Sequence, residues 1–149
     1  MSADDSSDIA GFKTSMNSGV SIYDVWSPRL LSIMRMVTGF LFMEHGTQKL
    51  LGLPPSAQPM PPHLPPLLMV AGILEAFGGL LILGGLLTRP VAFILAGEMA
   101  VAYFMVHARH SFWPLVNRGE SAALYCFIFL FLAAAGGGAW SIDRLWRRV

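Results

Sequence analysis

Apolar residues along the chain gather into four runs, each about as long as a helix that crosses a membrane. The runs are separated by segments rich in proline, glycine or charged residues, and they cover approximately residues 28–50, 66–87, 90–108 and 121–140. A helix rises about 1.5 Å per residue, so a run of about 20 residues spans the roughly 30 Å hydrocarbon core of a bilayer. The pattern predicts an all-α fold, an integral membrane bundle of four antiparallel helices.

Local signals predict where the domain begins and where its first helix ends. Ser27 and Pro28 are typical of a helix N-terminus, where a cap is followed by proline in the first turn. Gly52 and the prolines that follow it end the first helix. Residues 1–27 are polar and are predicted to be a flexible tail, which leaves residues 28–149 as one four-helix domain.

The composition supports a place in the membrane. Hydrophobic residues make up 54% of the 149 residues and charged residues 13%, about half of the roughly 25% found in soluble domains. The single cysteine of this sequence, Cys126, excludes an intramolecular disulfide and a Cys-x-x-Cys redox pair. The formal net charge of +1 and the lack of a basic patch predict that nucleic acid is not a partner.

The distribution of cations predicts the orientation in the membrane. Four spans place both chain ends on one side, and that side carries Lys13, Arg29, Arg89, Arg144, Arg147 and Arg148. The opposite side carries fewer cations, namely Lys49, Arg109 and Arg118. Because cytoplasmic loops carry an excess of Lys and Arg, we expect a multi-pass protein whose N- and C-termini are both cytoplasmic.

Three ionisable residues lie deep inside the predicted spans, where a charge is costly and usually faces other protein or water. They are Arg35 in the first span, Glu75 in the second and Glu98 in the third. Counting the rise per residue from the cytoplasmic ends places Arg35 and Glu98 at similar depths. We therefore expect Arg35 to pair with Glu98, or in second place with Glu75. The alternative is a charge cluster that only fixes helix register, with no catalytic role.

Small residues on the same helix faces indicate close helix packing. Gly39 and Gly46 lie on the face of the first helix that carries Arg35, and Gly72 and Gly79 lie on the face of Glu75. Glycine at such spacing lets two membrane helices approach until their backbones touch.

A second group of polar residues is expected nearer the outer face of the membrane. Its members within the spans or at their ends are Glu44, His45, Lys49, His107 and Tyr125, and those in the connection above them are Trp113, Asn117 and Glu120. Imidazole, carboxylate and phenol groups at one depth can bind a quinone head group or relay protons. No His-x3-His or Glu-x2-His spacing is present, so no metal is predicted. The alternative is a hydrogen-bonded layer at the membrane interface.

Several motifs that occur in order between residues 30 and 143 resemble those of the DoxX family. They are Arg35-x3-Gly39-x2-Phe42-x2-His45-Gly46-x2-Lys49-Leu50-x-Gly52, Glu75-x2-Gly78-Gly79, Gly85-Leu86-x-Thr88-Arg89, Phe112-Trp113-Pro114-x2-Asn117-x-Gly119-Glu120, Leu124-Tyr125 and a glycine-rich ending from Gly136 to Asp143. The resemblance implies a small four-helix protein of the bacterial inner membrane. It also implies a link to quinone-coupled oxidoreductases and to oxidative-stress complexes.

Two functions remain open on this basis. The first is a membrane subunit that serves a quinone-linked oxidoreductase or an oxidative-stress complex, with quinone as its ligand and a redox complex or a second copy of the chain as its partner. The second is a non-catalytic scaffold or assembly partner, since the sequence has no haem-attachment cysteine pair and no dinucleotide-binding glycine loop for a cofactor of its own. A small transporter is a third and weaker hypothesis, because no internal repeat stands out.

Overall fold

The structure, a computed structural model, describes residues 21–56 and 63–146, and this part of the chain is all-helical without a strand. Its helices, in chain order, are α1 (Ile22–Leu51), α2 (Pro66–Gly84), α3 (Thr88–Ala102), α4 (Pro114–Asn117), α5 (Glu120–Ala135) and α6 (Ile142–Trp146). One stretch of π-helix, Tyr103–His107, continues α3. The all-α prediction is confirmed for these residues, whereas most of the predicted tail, residues 1–20, lies outside them.

Helix α1 begins earlier than residue 28, because a capping box precedes the proline. The Ser21 hydroxyl oxygen accepts a hydrogen bond from the backbone N–H of Tyr23 (3.3 Å), and the Asp24 carboxylate accepts one from the N–H of Ser21 (3.0 Å). These bonds satisfy N–H groups that have no partner within the helix, and Pro28 is then accommodated inside it. The helix ends before Gly52, whose left-handed φ of 69° favours glycine.

Within the described residues, two helical segments are long and apolar enough to cross a membrane. They are Pro66–Gly84 and Thr88–His107, which correspond to the second and third predicted spans. The first predicted span falls in α1, which is longer but more polar, and the fourth falls in α5, an apolar helix of 16 residues.

The helices pack in two close pairs. Helix α1 lies along α2, α3 lies along α5, and α2 also contacts α3. Aromatic and aliphatic side chains from these helices form one buried core, which includes Phe42, Ile82, Leu95, Phe129 and Leu132. The space between α2 and α3 is less filled than the space within each pair and contains a cavity.

Glycine sets the distance between α1 and α2. A Cβ atom placed on Gly39 would lie 2.6 Å from the backbone nitrogen of Leu83, and one placed on Gly79 would lie 2.6 Å from that of Met43. About two turns along α1, Gly46 lies against the backbone of α2 at Gly72 and Ala76. The two helices therefore run antiparallel with backbones in contact, in the manner of membrane helices that associate through small residues.

The Arg35 guanidinium is fully buried and connects several segments of the chain. It donates from Nε to the carbonyl oxygen of Gly137 (2.8 Å), from Nη2 to that of Trp140 (2.7 Å) and from Nη1 to the oxygens of Ile82 and Leu83. The last two carbonyls belong to the final turn of α2, where carbonyl groups have no intrahelical partner and the helix dipole favours a cation. Arg35 thus ties α1 to the end of α2 and to the α5–α6 connection.

The predicted pairing of Arg35 with Glu98 or Glu75 is wrong. A long side chain on a helix leans toward the N-terminus of its own helix, so Arg35 reaches the C-terminal end of α2. Glu75 lies about two turns nearer the start of α2 than Ile82 does, and it pairs with Lys49 instead. Backbone carbonyls accept the hydrogen bonds of the guanidinium, and neither Glu75 nor Glu98 takes part in them.

A carboxylate performs the complementary task at the start of α3. The two oxygens of Asp143 accept hydrogen bonds from the backbone N–H groups of Leu87 (2.7 Å) and Thr88 (2.8 Å). Asp143 lies in α6, far along the chain, yet it acts as the cap of α3 and places a negative charge at the positive end of that helix.

We expect Arg35→Ala to lower the free energy of unfolding by at least about 3 kcal/mol, because several buried carbonyls would lose a charged donor. Exposed Arg144, whose side chain donates one hydrogen bond of 3.5 Å within the described part of the chain, provides the control, and Arg144→Ala should cost far less. Thermal unfolding of the purified protein in detergent measures both. Adding Glu98→Gln to Arg35→Ala should give no recovery, and a clear recovery would argue for the ion pair that the structure lacks.

We expect Gly39→Ala to destabilise the protein by about 1–3 kcal/mol, since the new methyl group must push two backbones apart. Gly97→Ala is the matched control, because Gly97 also lies in a helix but a Cβ atom placed on it would have no neighbouring atom within 4 Å. That substitution should be neutral or slightly stabilising. Equal unfolding temperatures for the two variants would refute the close contact between α1 and α2.

Candidate functional site

Two adjoining cavities lie at the end of the molecule opposite the Arg35 contacts. The larger of these two cavities, about 380 Å³, opens between α2 and α3. The smaller cavity, about 180 Å³, is lined by residues of α1, α2, α5 and the α3–π segment, which is α3 together with its π-helical continuation. Five residues line both cavities: Lys49, Glu75, Met99, Ala102 and His107. Three of the five are ionisable, so the junction of the cavities is polar while most of the larger wall is apolar.

An ion pair between α1 and α2 lies at this junction. Lys49 donates from Nζ to Oε1 of Glu75, whose side chain is almost completely buried. Lys49 and Glu75 each follow, by three positions, a glycine of the α1–α2 contact, namely Gly46 and Gly72. This shared spacing is the sequence signal that could have predicted the pair, because the glycine contact sets the register of the two helices.

Glu98 lines the larger cavity together with Glu75. Both carboxylate oxygens of Glu98 and the Oε2 atom of Glu75 are buried without a hydrogen-bond partner among the described residues. Buried polar groups are almost always paired in folded proteins, so three such oxygens in one place call for an explanation. Of the predicted charge cluster, the structure keeps Glu75 and Glu98 together and adds Lys49 in place of Arg35.

The connection after the π-helix fixes the orientation of His107. Its Nδ1 atom lies 3.1 Å from the backbone oxygen of Asn117. Because a carbonyl only accepts, Nδ1 carries the proton in this contact, and Nε2 of the neutral ring is then an acceptor. The Tyr103 hydroxyl donates to the backbone oxygen of Phe112, which anchors the same connection. Sequence reasoning missed Tyr103, although it lies one helical turn before His107.

Asn117 shapes the connection and lies outside both cavities. Its side-chain nitrogen donates to the backbone oxygen of Ser111 (2.6 Å), and its side-chain oxygen accepts from the N–H of Gly119 (2.7 Å). The amide is buried, so these bonds replace water as its partners. Asn117 therefore positions His107 through the backbone.

Aromatic rings form the inner wall of the smaller cavity. The rings of His45 and Tyr125 meet edge to face, with centroids 6.1 Å apart, and the ring of Phe42 packs against Tyr125 at 5.2 Å. The Tyr125 hydroxyl and the His45 imidazole are both able to donate a hydrogen bond. The cavity can thus hold a flat ring between aromatic neighbours and offer it polar contacts.

The structure brings together four of the eight residues predicted for the outer polar group: His45, Lys49, His107 and Tyr125. The other four line neither cavity: Glu44, Trp113, Asn117 and Glu120. Trp113 and Glu120 are exposed, and Trp113 contacts the ring of Phe112. Within residues 21–56 and 63–146, no three His, Cys, Asp or Glu side chains are grouped as metal ligands would be.

The arrangement is that of an apolar helical protein with ionisable groups between its helices, and comparison with known proteins places it in a family. The chain belongs to the DoxX family, whose sequence model matches residues 30–108. That range contains α1 from its ninth residue, α2 and the α3–π segment, and so carries every ionisable residue of the larger cavity. Tyr125 and the rest of α5 lie beyond it.

Two relatives are similar over most of their length. An uncharacterized protein of Haemophilus influenzae is 40% identical over 123 residues, covering 80% of this chain and 92% of that protein. The inner membrane protein YqjF of Escherichia coli is 34% identical over 123 residues, covering 76% of this chain and 88% of that protein. No solved structure matches. The family and the second relative indicate a membrane location.

Proposed function

We propose that the protein is a multi-pass protein of the bacterial inner membrane, built as an antiparallel four-helix bundle with both termini in the cytoplasm. The four spans would be α1, α2, α3 with its π-helical extension, and α5. The proposal is supported by the two membrane-capable segments and the cation distribution. Large apolar side chains also point outward, among them Phe93, Phe104 and Phe127, each more than 60% exposed. Such surfaces suit lipid contact.

We further propose that the two adjoining cavities bind a quinone and that the protein serves an oxidoreductase or an oxidative-stress complex as a membrane subunit. The proposal rests on one observation: ionisable side chains lie where the mostly apolar larger cavity adjoins the smaller cavity. The larger cavity alone, about 380 Å³, falls within the roughly 300–1,000 Å³ range of small-molecule sites, which are mostly apolar with a few convergent polar groups.

The polar groups suit a quinone head group. Its two carbonyl oxygens only accept hydrogen bonds, and donors are available from the Tyr125 hydroxyl, the His45 imidazole and the N–H groups of Lys49 that Glu75 does not use. The apolar side chains between α2 and α3 would cover an isoprenoid tail that enters from the bilayer. His107, held by the backbone of Asn117, would be available for proton exchange.

A non-catalytic scaffold or assembly partner is the alternative function. It is favoured by the fact that Lys49 and Glu75 also join α1 to α2, so their charge is explained by packing alone. Quinone binding separates the two functions, because a scaffold needs no ligand in either cavity.

The proposed topology predicts opposite labelling of two ends of the bundle. In a Cys126→Ala background in bacterial cells, a membrane-impermeant maleimide should label His63→Cys, just before α2, from the periplasm. It should not label Tyr23→Cys at the start of α1, or Leu145→Cys in α6, until the cells are opened. All three positions are exposed, so the difference reports sidedness. Labelling of Tyr23→Cys in intact cells would reverse the orientation.

The quinone proposal predicts that protein purified with its native lipids carries quinone above the level that lipid alone explains. His45→Ala and Tyr125→Phe should each reduce bound quinone several-fold, since each removes one neutral hydrogen bond worth about 0.5–1.5 kcal/mol. Solvent extraction and quantification per mole of protein provide the measurement, with unfolding temperature as a check of the fold.

Matched control variants exist for both substitutions. His110→Ala and Tyr23→Phe remove the same groups at exposed positions that line neither cavity, and they should leave bound quinone unchanged. If quinone is not enriched in the parent protein, or if the cavity variants hold as much as the controls, the scaffold function replaces this one.

A further inference from the structure

The larger cavity presents hydrogen-bond acceptors whose partners the described residues do not supply. Glu75 is almost completely buried, with an exposed fraction of 4%, and only its Oε1 atom is engaged, by Lys49. Its Oε2 atom and both oxygens of Glu98 are buried and have no hydrogen-bond partner among residues 21–56 and 63–146. Both residues line the apolar cavity between α2 and α3. A ligand that offers a hydrogen-bond donor at this position would satisfy an acceptor that is costly to leave unpaired.

We infer that the two adjoining cavities prefer the reduced, hydroquinone form of a quinone, with one hydroquinone hydroxyl group donating to Glu98 where it lines the larger cavity. The inference rests on the proposed quinone function and specifies the form of the ligand. A quinone carbonyl can only accept a hydrogen bond, whereas a hydroxyl group both donates and accepts. A hydroxyl group can therefore form a hydrogen bond with Glu98 whether Glu98 is ionised or protonated, whereas a carbonyl oxygen can do so only when Glu98 is protonated.

The preference depends on pH through the charge of Glu98. An ionised carboxylate has acceptors only, so it binds a hydroxyl group and disfavours a carbonyl oxygen beside it. A protonated carboxyl group has a donor of its own and accommodates both ligand forms. The preference for hydroquinone should therefore be weak at acidic pH and should increase as the pH rises and Glu98 ionises.

Other charged and titratable groups line the same cavity as Glu98 or the adjoining one. Lys49 of α1 and Glu75 of α2 line the same cavity, His107 lies at the end of the segment that carries Glu98, and Tyr125 of α5 lines the adjoining cavity. His107 gains a donor when it is protonated, so it acts in the same direction as Glu98. A substitution of Glu98 alone is needed to separate the two contributions.

Calorimetric titration of the full-length protein in detergent micelles tests the inference. A benzoquinone with a decyl side chain and its hydroquinone are titrated without oxygen, from acidic to mildly alkaline pH, against protein-free micelles. The parent should bind the hydroquinone about tenfold more tightly at the alkaline end, as one charge-assisted hydrogen bond allows, and nearly equally at the acidic end. Glu98→Gln, whose amide always offers a donor and an acceptor, should lose most of this pH dependence.

Glu120→Gln is the matched control, since Glu120 is exposed at the start of α5 and lines neither cavity. It should behave as the parent does. Glu98→Gln is expected to fold, because it replaces an unpartnered buried acid by a neutral group of the same shape. Its unfolding temperature checks this directly.

The outcomes distinguish failure of the inference from failure of the proposed function. Binding of the quinone with no preference for the hydroquinone at any pH overturns the inference and leaves the quinone function intact. A preference that persists unchanged in Glu98→Gln overturns the role of Glu98. Binding of neither form by the parent overturns the quinone function and the inference with it. A pH-dependent preference that is lost in Glu98→Gln and kept in Glu120→Gln supports the inference.

Discussion

The buried guanidinium of Arg35 is the interaction on which the rest of the helical arrangement depends. Helix ends expose carbonyl groups that have no partner within the helix, and in an apolar environment water does not replace that partner. Arg35 supplies donors to the last turn of α2 and to the connection after α5, while Asp143 supplies acceptors to the first turn of α3. A cation thus satisfies carbonyl groups at a helix C-terminus, and an anion satisfies N–H groups at a helix N-terminus. Through these bonds α1, the α2–α3 connection and the segment after α5 meet at one end of the molecule.

The glycine contact between α1 and α2 fixes the register of these two helices as far as the opposite end of the molecule. Once Arg35 is bound at the end of α2, the backbones meet at Gly39 and again at Gly46, which leaves no freedom to slide. That register places Lys49 beside Glu75 and forms one wall of both cavities. Arg35 and the glycines therefore hold the helices without facing the cavities, whereas Lys49 and Glu75 both join the two helices and face the cavities.

The cavities between the helix pairs combine features that stability alone does not require. Unpartnered oxygens on Glu75 and Glu98 weaken the fold compared with apolar side chains of similar size. His107 is held in one orientation by the backbone of Asn117 and keeps a ring nitrogen available. A protein that tolerates such costs at one place is expected to use that place for binding or proton exchange.

Local signals in the sequence determined the all-helical fold and the approximate extent of the apolar helices, and they indicated eight outer polar residues, of which four line the smaller cavity. Helix period, caps and hydrophobic runs act between neighbours along the chain, so they can be interpreted without knowing the fold. The partners of Arg35 and Lys49 were decided by tertiary structure. Depth along a helix axis gives the level of a Cα atom but not the direction in which a long side chain leans, nor the register that glycine contacts impose. Arg35 therefore binds carbonyl groups at a helix end, and Glu98 has no hydrogen-bond partner in the part of the chain that the structure describes.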